Sequence, residues 1–445
     1  MAIRIRKRLT KRELIFNIIS LSLVIIIGLY FGIRSFYYYG KQNKKVGNTN
    51  TTLSDKIMNS NRLTKAKDGW HQDTKGYYFK GEVGNNYVRF ANRNFRVVRV
   101  NNDNTVKLVS EDITSIFMWG ETIKYKDSNL NNWLNKTSNK HSGIYYDTIP
   151  KIKEYLVKTK YSEDKLSGTK VKENKTSYKD YVTTLTIKDY ITAGGKNSYL
   201  NTGKYFWLIG HDKDKMNLYV NEEGEVESSP NSDTYGVKVV ITLNKNTTIS
   251  DGDGSKANPY VVNQNSDTNY VNKYVKLGND TYIVSSDKDN KLKLVSANYI
   301  NNDFKYNFSK TTSGFNLIDF TSLANYLNNT YYNTLSYKDK LLDINNYTGE
   351  LSNDAGIEYS NIFKSNIPSK IGLLNMFDYN PTDLTDFYIV NDPSTASTMA
   401  YVYNKLGMLE EDEITNEKHI VTTIMISKKS IKKGDGTKEK PYTVE

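Results

Sequence analysis

The chain has 445 residues, a formal net charge of +12 and no cysteine, so disulfide staples, thiolate metal sites and thiol chemistry are excluded. Its length suits two or three domains with cores of their own, and 38% hydrophobic with 12% aromatic residues is too much for a disordered polymer. The charge is unevenly placed: residues 1–45 hold ten basic side chains against Glu13 alone, which leaves only +3 for the other 400 residues and no strong footprint for nucleic acid.

Residues 1–13 read as a basic cytoplasmic tail. Leu14–Ile33, LIFNIISLSLVIIIGLYFGI, is a twenty-residue run without charge. As a helix rising ~1.5 Å per residue it spans a bilayer core of roughly 30 Å. The basic residues lie closer on its N-terminal side, which predicts a cytoplasmic N-terminus and places the bulk of the chain outside the cell. The apolar run is longer than that of a cleaved signal peptide and ends in aromatics (Tyr30, Phe36, Tyr37) rather than small residues, so an uncleaved single-pass anchor is expected, with the lipid bilayer as partner through 14–33. Residues 34–75 are polar and read as a stalk or linker, with room for one short helix near Leu53–Leu63.

Beyond the stalk the chain repeats itself. NNYVRFANRNFRVV (85–98) is echoed by NKYVKLGNDTYIVS (272–285), VKLVS (106–110) by LKLVS (292–296), LNNWLNKT (130–137) by LANYLNNT (323–330), and FWLI (206–209) by FYIV (387–390). GDGSKANPY (252–260) returns as GDGTKEKPY (434–442) at the chain's end. This order defines two tandem modules, 76–263 and 268–445. YVRF, FRVVRV and TVKLVS predict a hairpin with a turn at NNDN. Leu130, Trp133 and Leu134 predict a short helix behind Asp127 or Ser128, as do Leu323, Tyr326 and Leu327 behind Thr321 and Ser322. Strands, a short helix, then strands give an α+β class with mainly antiparallel sheets, and no G-x-G-x-x-G opens a helix to suggest a dinucleotide fold.

In the repeated phrase, Gly252, Gly254, Gly434 and Gly436 suit a tight turn, Pro259 and Pro441 hold the chain extended after it, and Tyr260 and Tyr442 open a last strand. The phrase reads as a structural clasp closing each module. If the modules are independent, removing 434–445 unfolds the second and spares the first.

The strings YYFKGEVGNNYVRF, LTIKDYITAGGKNSYL and YGVKVVITLNKNTTISDGDGSKANPYVV together resemble an uncharacterised extracellular repeat-domain family of low-GC Gram-positive bacteria. Its pattern closes on a G-x-G-T-x-x-x-P-Y phrase and runs well over 77–262 and loosely over 268–444. The resemblance implies a lectin-like architecture similar to that of C-type lectins and formylglycine-generating enzymes. Two departures stand out: Lys238-Val239 replaces the family's Arg-Pro, and the second copy lacks the AGG loop. Formylglycine-type oxidation needs cysteines that this chain does not have.

Among candidate sites, Trp119 and Trp207 are the aromatics for stacking on a sugar or peptide, with ordinary core packing as the alternative, since only one of the neighbours Phe206 and Trp207 is expected to face inward. His211, Asp212 and Asp214 form the densest ligand cluster, but neighbouring residues on one turn rarely converge on an ion. Asp251-Gly-Asp253-Gly-Ser255 starts like a calcium loop, yet Val262 stands where a bidentate Glu is needed. No metal or cofactor is expected. Glu222, Glu223, Glu225 and Glu227 read as a solvated turn, and no Ser-His-Asp order, G-x-S-x-G elbow or P-loop is present, so no enzyme is expected. The expected function is a membrane-anchored surface protein displaying two lectin-like modules for binding or adhesion to a glycan, the cell wall or a protein. The alternatives are a structural partner in an envelope or secretion-related assembly and, behind it, a cell-wall enzyme.

Overall fold

A computed structural model describes residues 51–120, 122–135, 154–231, 233–263, 270–301, 304–311, 314–348, 350–351, 365–376, 378–390, 392–393 and 398–445. The expected anchor, 14–33, lies outside them, and no helix among the described residues is long and apolar enough to cross a membrane. The chain is mostly β-sheet with a few short helices, in keeping with the α+β class.

The stalk expected over 34–75 is shorter than its polarity suggests, because the chain from Thr51 onward already belongs to the folded unit. Helix Leu53–Ser60 is capped by Thr52, whose Oγ1 accepts from Asp55 N, and it buries Leu53 and Ile57 completely. Its start is tied to the far end of the first module, with Leu53 N donating to Thr247 O at 2.8 Å. Gly69–Asp73 then forms a ribbon with Gly76–Lys80, and Trp70 is only 3% exposed. Three buried side chains outweigh a polar average.

The predicted hairpin is present. Tyr87–Phe90 pairs with Arg93–Asn101 through the two-residue turn Ala91-Asn92, both at positive φ (51° and 59°), which matches the twist of the strands. Arg93–Asn101 pairs in turn with Val106–Ser110. The sheet continues in the order Val182–Thr183, Val240–Leu243, Val106–Ser110, Arg93–Asn101, Tyr87–Phe90, Tyr260–Val262 and Ile249–Asp251. A second sheet orders Ser115–Met118, Thr234–Val237, Phe206–His211, Asn217–Val220 and Val226–Ser229, with Phe206 paired parallel to Gly236.

Both orders recur downstream. Leu341–Leu342, Thr423–Ser427, Lys291–Ser296, Asp280–Lys288, Tyr274–Leu277 and Tyr442–Thr443 form one sheet. Lys305–Asn307, Glu417–His419, Phe387–Tyr388, Met399–Tyr403 and Leu409–Glu413 form the other. Even the β-bulge is copied: register shifts between Val97 and Arg99 against the next strand, and between Val284 and Ser286 in the second copy. A bulge is a specified feature rather than a defect, so its repetition marks common ancestry of the two halves.

The predicted helix spans Asn129–Asn135, with Ser128 Oγ accepting from Asn131 N and with Leu130, Trp133 and Leu134 buried. In the second copy Ser322 caps Leu323–Asn325, which widens into a π-turn over Tyr326–Tyr331.

The clasps agree nearly bond for bond. Asp253 N and Gly254 N both donate to Asn258 O, as Asp435 N and Gly436 N do to Lys440 O. Asp253 Oδ1 accepts from Ser255 N and Asp435 Oδ1 from Thr437 N, so both carboxylates are used in closing their own turns. Gly254 O then receives Tyr87 N at 2.8 Å and Gly436 O receives Tyr274 N at 2.9 Å. Tyr260 and Tyr442 open strands that lie parallel to Tyr87–Phe90 and Tyr274–Leu277.

Independence of the modules is where the structure differs from expectation. Asn92 Nδ2 donates to Val271 O (3.0 Å) and Asn272 Nδ2 donates back to Ala91 O (2.8 Å). Arg93 Nη1 donates to Tyr379 OH (2.6 Å), which donates to Asn272 Oδ1. Tyr205 N donates to Leu406 O at 2.8 Å and Thr234 Oγ1 to Leu409 O at 3.2 Å. One cluster of buried apolar side chains runs from Leu53 to Ile426 through both copies. Shared strand-edge and core contacts couple halves that the sequence presents as separate.

Candidate functional site

The two tryptophans expected at a binding surface are in the core. Trp119 is 1% exposed and Trp207 fully buried, packed edge to face at 5.4 Å, with Trp207 Nε1 donating to Phe117 O at 2.7 Å. Strand alternation does not turn either ring outward, because both faces of Phe206–His211 are covered: Tyr190 lies against Phe206, while Trp119 and Tyr235 lie against Trp207. No ring face is left for a ligand.

His211, Asp212 and Asp214 form a self-contained turn. Asp212 Oδ1 accepts from Asp214 N and Met216 N, and Oδ2 from Ser228 Oγ. Burial would raise the Asp212 pKa, but these donors outweigh it and hold the carboxyl below its usual range. His211 Nδ1 lies 2.9 Å from Asp212 O. No group of three or more His, Asp or Glu among the described residues is arranged to hold a metal ion.

What the structure does assemble is a cleft of about 860 Å³ in the first module, lined by seven cationic and two acidic side chains. Its floor is the sheet face bearing Arg99, Lys107 and Thr242, and one wall is the helix Ile187–Thr192 with its cap Thr186. The other wall is a two-stranded ribbon, Thr159–Tyr161 against Tyr178–Asp180. The bulge that follows Val97 gives Arg99 its place opposite Lys107.

Three of the cations have carboxylate partners. Arg99 grips Asp73 with two bonds of 2.6 and 2.7 Å, and that bond, first among its causes, pulls the Asp73 pKa down. Lys107 Nζ is 2.7 Å from Asp189 Oδ2; burial would raise the Asp189 carboxyl, but Lys107 and Thr186 hold it below its usual range. Lys188 touches Glu173, and burial followed by the neighbouring Lys75 pushes its pKa down. Lys75, Lys158, Lys160 and Lys179 have no carboxylate within ion-pair distance among the described residues. Lys160 and Lys179 stand directly opposite each other across the ribbon. Like charges so placed destabilise a strand pair.

The second module presents rings instead of charges. Tyr306 stacks on Tyr326 at 4.7 Å and 17°, Phe304 leans on both and is 43% exposed, and Ile318 and Phe320 stand 84% and 87% exposed nearby in sequence. Sequence reasoning missed both surfaces. The cleft residues come from six separated segments, and the signal available was the lysine-rich stretch 151–179 set between apolar runs. Lys238 is 1% exposed with Nζ donating to Glu111 O and Leu200 O, and burial lowers its pKa to about 7.

No protein family, curated protein or solved structure matches the chain.

Proposed function

We propose that this is a membrane-anchored surface protein, held by 14–33 with its N-terminus in the cytoplasm, whose two lectin-like modules bind an extracellular ligand. The observation that carries this reading is the 860 Å³ cleft, whose size suits a ligand of substantial length and whose wall holds lysines that no carboxylate of the described chain neutralises. A concave, polar surface with unspent charge is a binding device. The resemblance to extracellular repeat domains and the basic residues set closer on the N-terminal side of the apolar run support the same placement.

Protease treatment of intact cells tests it: residues 51–445 are expected to be degraded while a tag at residue 1 survives. Protection of the whole chain until lysis would overturn the topology. A second reading, a structural partner in an envelope assembly, is favoured by Ile318 and Phe320, because solvent-exposed apolar side chains of that size commonly mark protein contacts. Crosslinking in membranes from residues 318–320 to one reproducible protein would support it.

A further inference from the structure

We infer that the cleft of the first module binds a linear phosphodiester polymer with non-aromatic repeating units, seated between Lys160 and Lys179 on one side and Lys75 on the other. This rests on the binding role proposed for the cleft and names its ligand class.

Like charges set together cost stability. A chain free to place exposed side chains anywhere has put two lysines face to face across a short ribbon, and the exposed Lys158 lies just before the strand that carries Lys160. Across the cleft Lys75 sits beside Lys188 closely enough to disfavour its charged form. Two separate like-charge encounters thus line one cavity. An anion between the members of each would turn repulsion into charge-assisted hydrogen bonds.

Two such encounters on opposite walls call for an extended ligand carrying several charges rather than one small anion. Apart from the cations and Asp103, Asp189, Val157 and Tyr161, the lining is hydroxyl and amide, Thr74, Asn101, Asn102, Ser162, Ser177 and Thr192 among it. These groups suit hydroxylated units between charges. Tyr161 is the sole aromatic among the described lining residues, and it is 3% exposed with its OH committed to Asp180 at 2.6 Å. Its buried ring offers no face on which a base could stack, which argues against single-stranded nucleic acid even though its backbone carries the same charge. Lysine ammonium groups are compact, strongly hydrated charges that bind phosphate oxygens as points.

The test is fluorescence polarisation with the full chain in detergent and a labelled poly(glycerol phosphate) oligomer. Single-stranded DNA and polygalacturonate of equal charge serve as rival probes. Binding of the phosphate polymer is expected to weaken as salt rises. The double variant Lys160→Gln/Lys179→Gln, and separately Lys75→Gln, are each expected to weaken it by at least about tenfold. Without ligand, Lys160→Gln alone is expected to hold or raise the melting temperature, which separates lost binding from lost folding. Lys213→Gln, on an exposed turn outside the cleft lining, is expected to leave binding unchanged. Equal affinity for DNA or for polygalacturonate would overturn the inference, as would wild-type affinity in the double variant or an equal loss in Lys213→Gln. The protease result on intact cells is read independently, so failure of the topology and failure of the cleft are distinguishable.

Discussion

Trp133 and Tyr326 occupy the same place in the two halves of the chain, and only one of them is buried. Trp133 stacks on Phe117 at 4.6 Å and 14°, inside a core closed by Trp119, Trp207 and Tyr125. Tyr326 stacks on Tyr306 at 4.7 Å and 17°, half exposed. Strand pairing makes Phe117 and Tyr306 equivalents, since each lies one residue along from the partner of the parallel bridge to Phe206 or Phe387. The same alignment sets Trp207, Tyr219 and Tyr235 against Tyr388, Val402 and Lys418. Lys418 there spans Asp386 and Asp412 at 3.2 and 2.7 Å. The duplication has kept backbone devices and exchanged what fills the spaces between them. One half closes its equivalent aromatics inside, beside a charged cleft; the other leaves Phe304, Tyr306 and Tyr326 partly outside.

The harshest way to break this comparison is to remove residues 434–445, which takes away the strand paired to Tyr274–Leu277. If the contacts from Ala91 and Asn92 to Val271 and Asn272 couple the halves, calorimetry is expected to show one transition that moves down as a whole. Two transitions of which only the second moves would restore independent modules.

Next in size is the equivalent pair itself. Trp133→Ala is expected to cost about 3–5 kcal/mol by chemical denaturation, because it empties a filled core. Tyr326→Ala is expected to cost less than about 1.5 kcal/mol, roughly the value of one aromatic pair at a surface. Equal costs would mean that Tyr326 is covered in solution, which would favour the protein-partner reading.

Much of the duplication was legible because it lives in short-range rules: an Asn or Gly in a two-residue turn, Ser128 and Ser322 before their helices, and glycines where a Cβ would collide. The helix containing Trp133 followed from spacing alone. Trp207 was misplaced because period-two alternation assumes one solvent face, and a strand covered on both sides has none. The cleft was invisible for a different reason. Lys75, Lys107, Lys160, Lys179 and Lys188 are ordinary surface lysines in the sequence, and only the pairing of Thr159–Tyr161 with Tyr178–Asp180 brings two of them face to face. The outward aromatics were missed because Tyr326 has the same helical spacing as Trp133, so spacing cannot say whether anything packs over it.

A smaller effect distinguishes the halves by pH. Lys238 aligns with Val421, since Ser110 N donates to Val239 O and Ser296 N to Thr422 O in the same register, and both side chains are buried. The Lys238 pKa falls from 10.5 to about 7 on folding. Between those values the unfolded chain binds the proton and the folded chain does not, so stability rises with pH across that window and is lowest, with Lys238 charged in the core, below pH 7. From pH 7 to pH 9 the gain is expected to be roughly 2 kcal/mol. In Lys238→Met the rise is expected to vanish, as it should if an apolar side chain such as Val421 is what that place accommodates. A pH dependence unchanged in Lys238→Met would assign the slope to other groups.

The finest comparison uses the clasps, where the halves agree and equal effects are expected. A Cβ on Gly252 would lie 2.1 Å from Pro259 O, and one on Gly434 2.2 Å from Pro441 O, at φ of 111° and 106°. Neither oxygen can retreat, because each belongs to the residue that leads into the closing strand, so Gly252→Ala and Gly434→Ala are each expected to cost more than about 1 kcal/mol. The clasps differ in the strand beyond the turn. Tyr260 is fully buried and Tyr442 half-buried, although both strands run on to a valine paired on its other side, Val262 with Ile249 and Val444 with Ile431. If the cost comes from the turn, the two variants lose equal stability in denaturant titrations. If the clasp acts by seating its tyrosine, Gly252→Ala loses more, and the difference measures how firmly the first module's last strand is held.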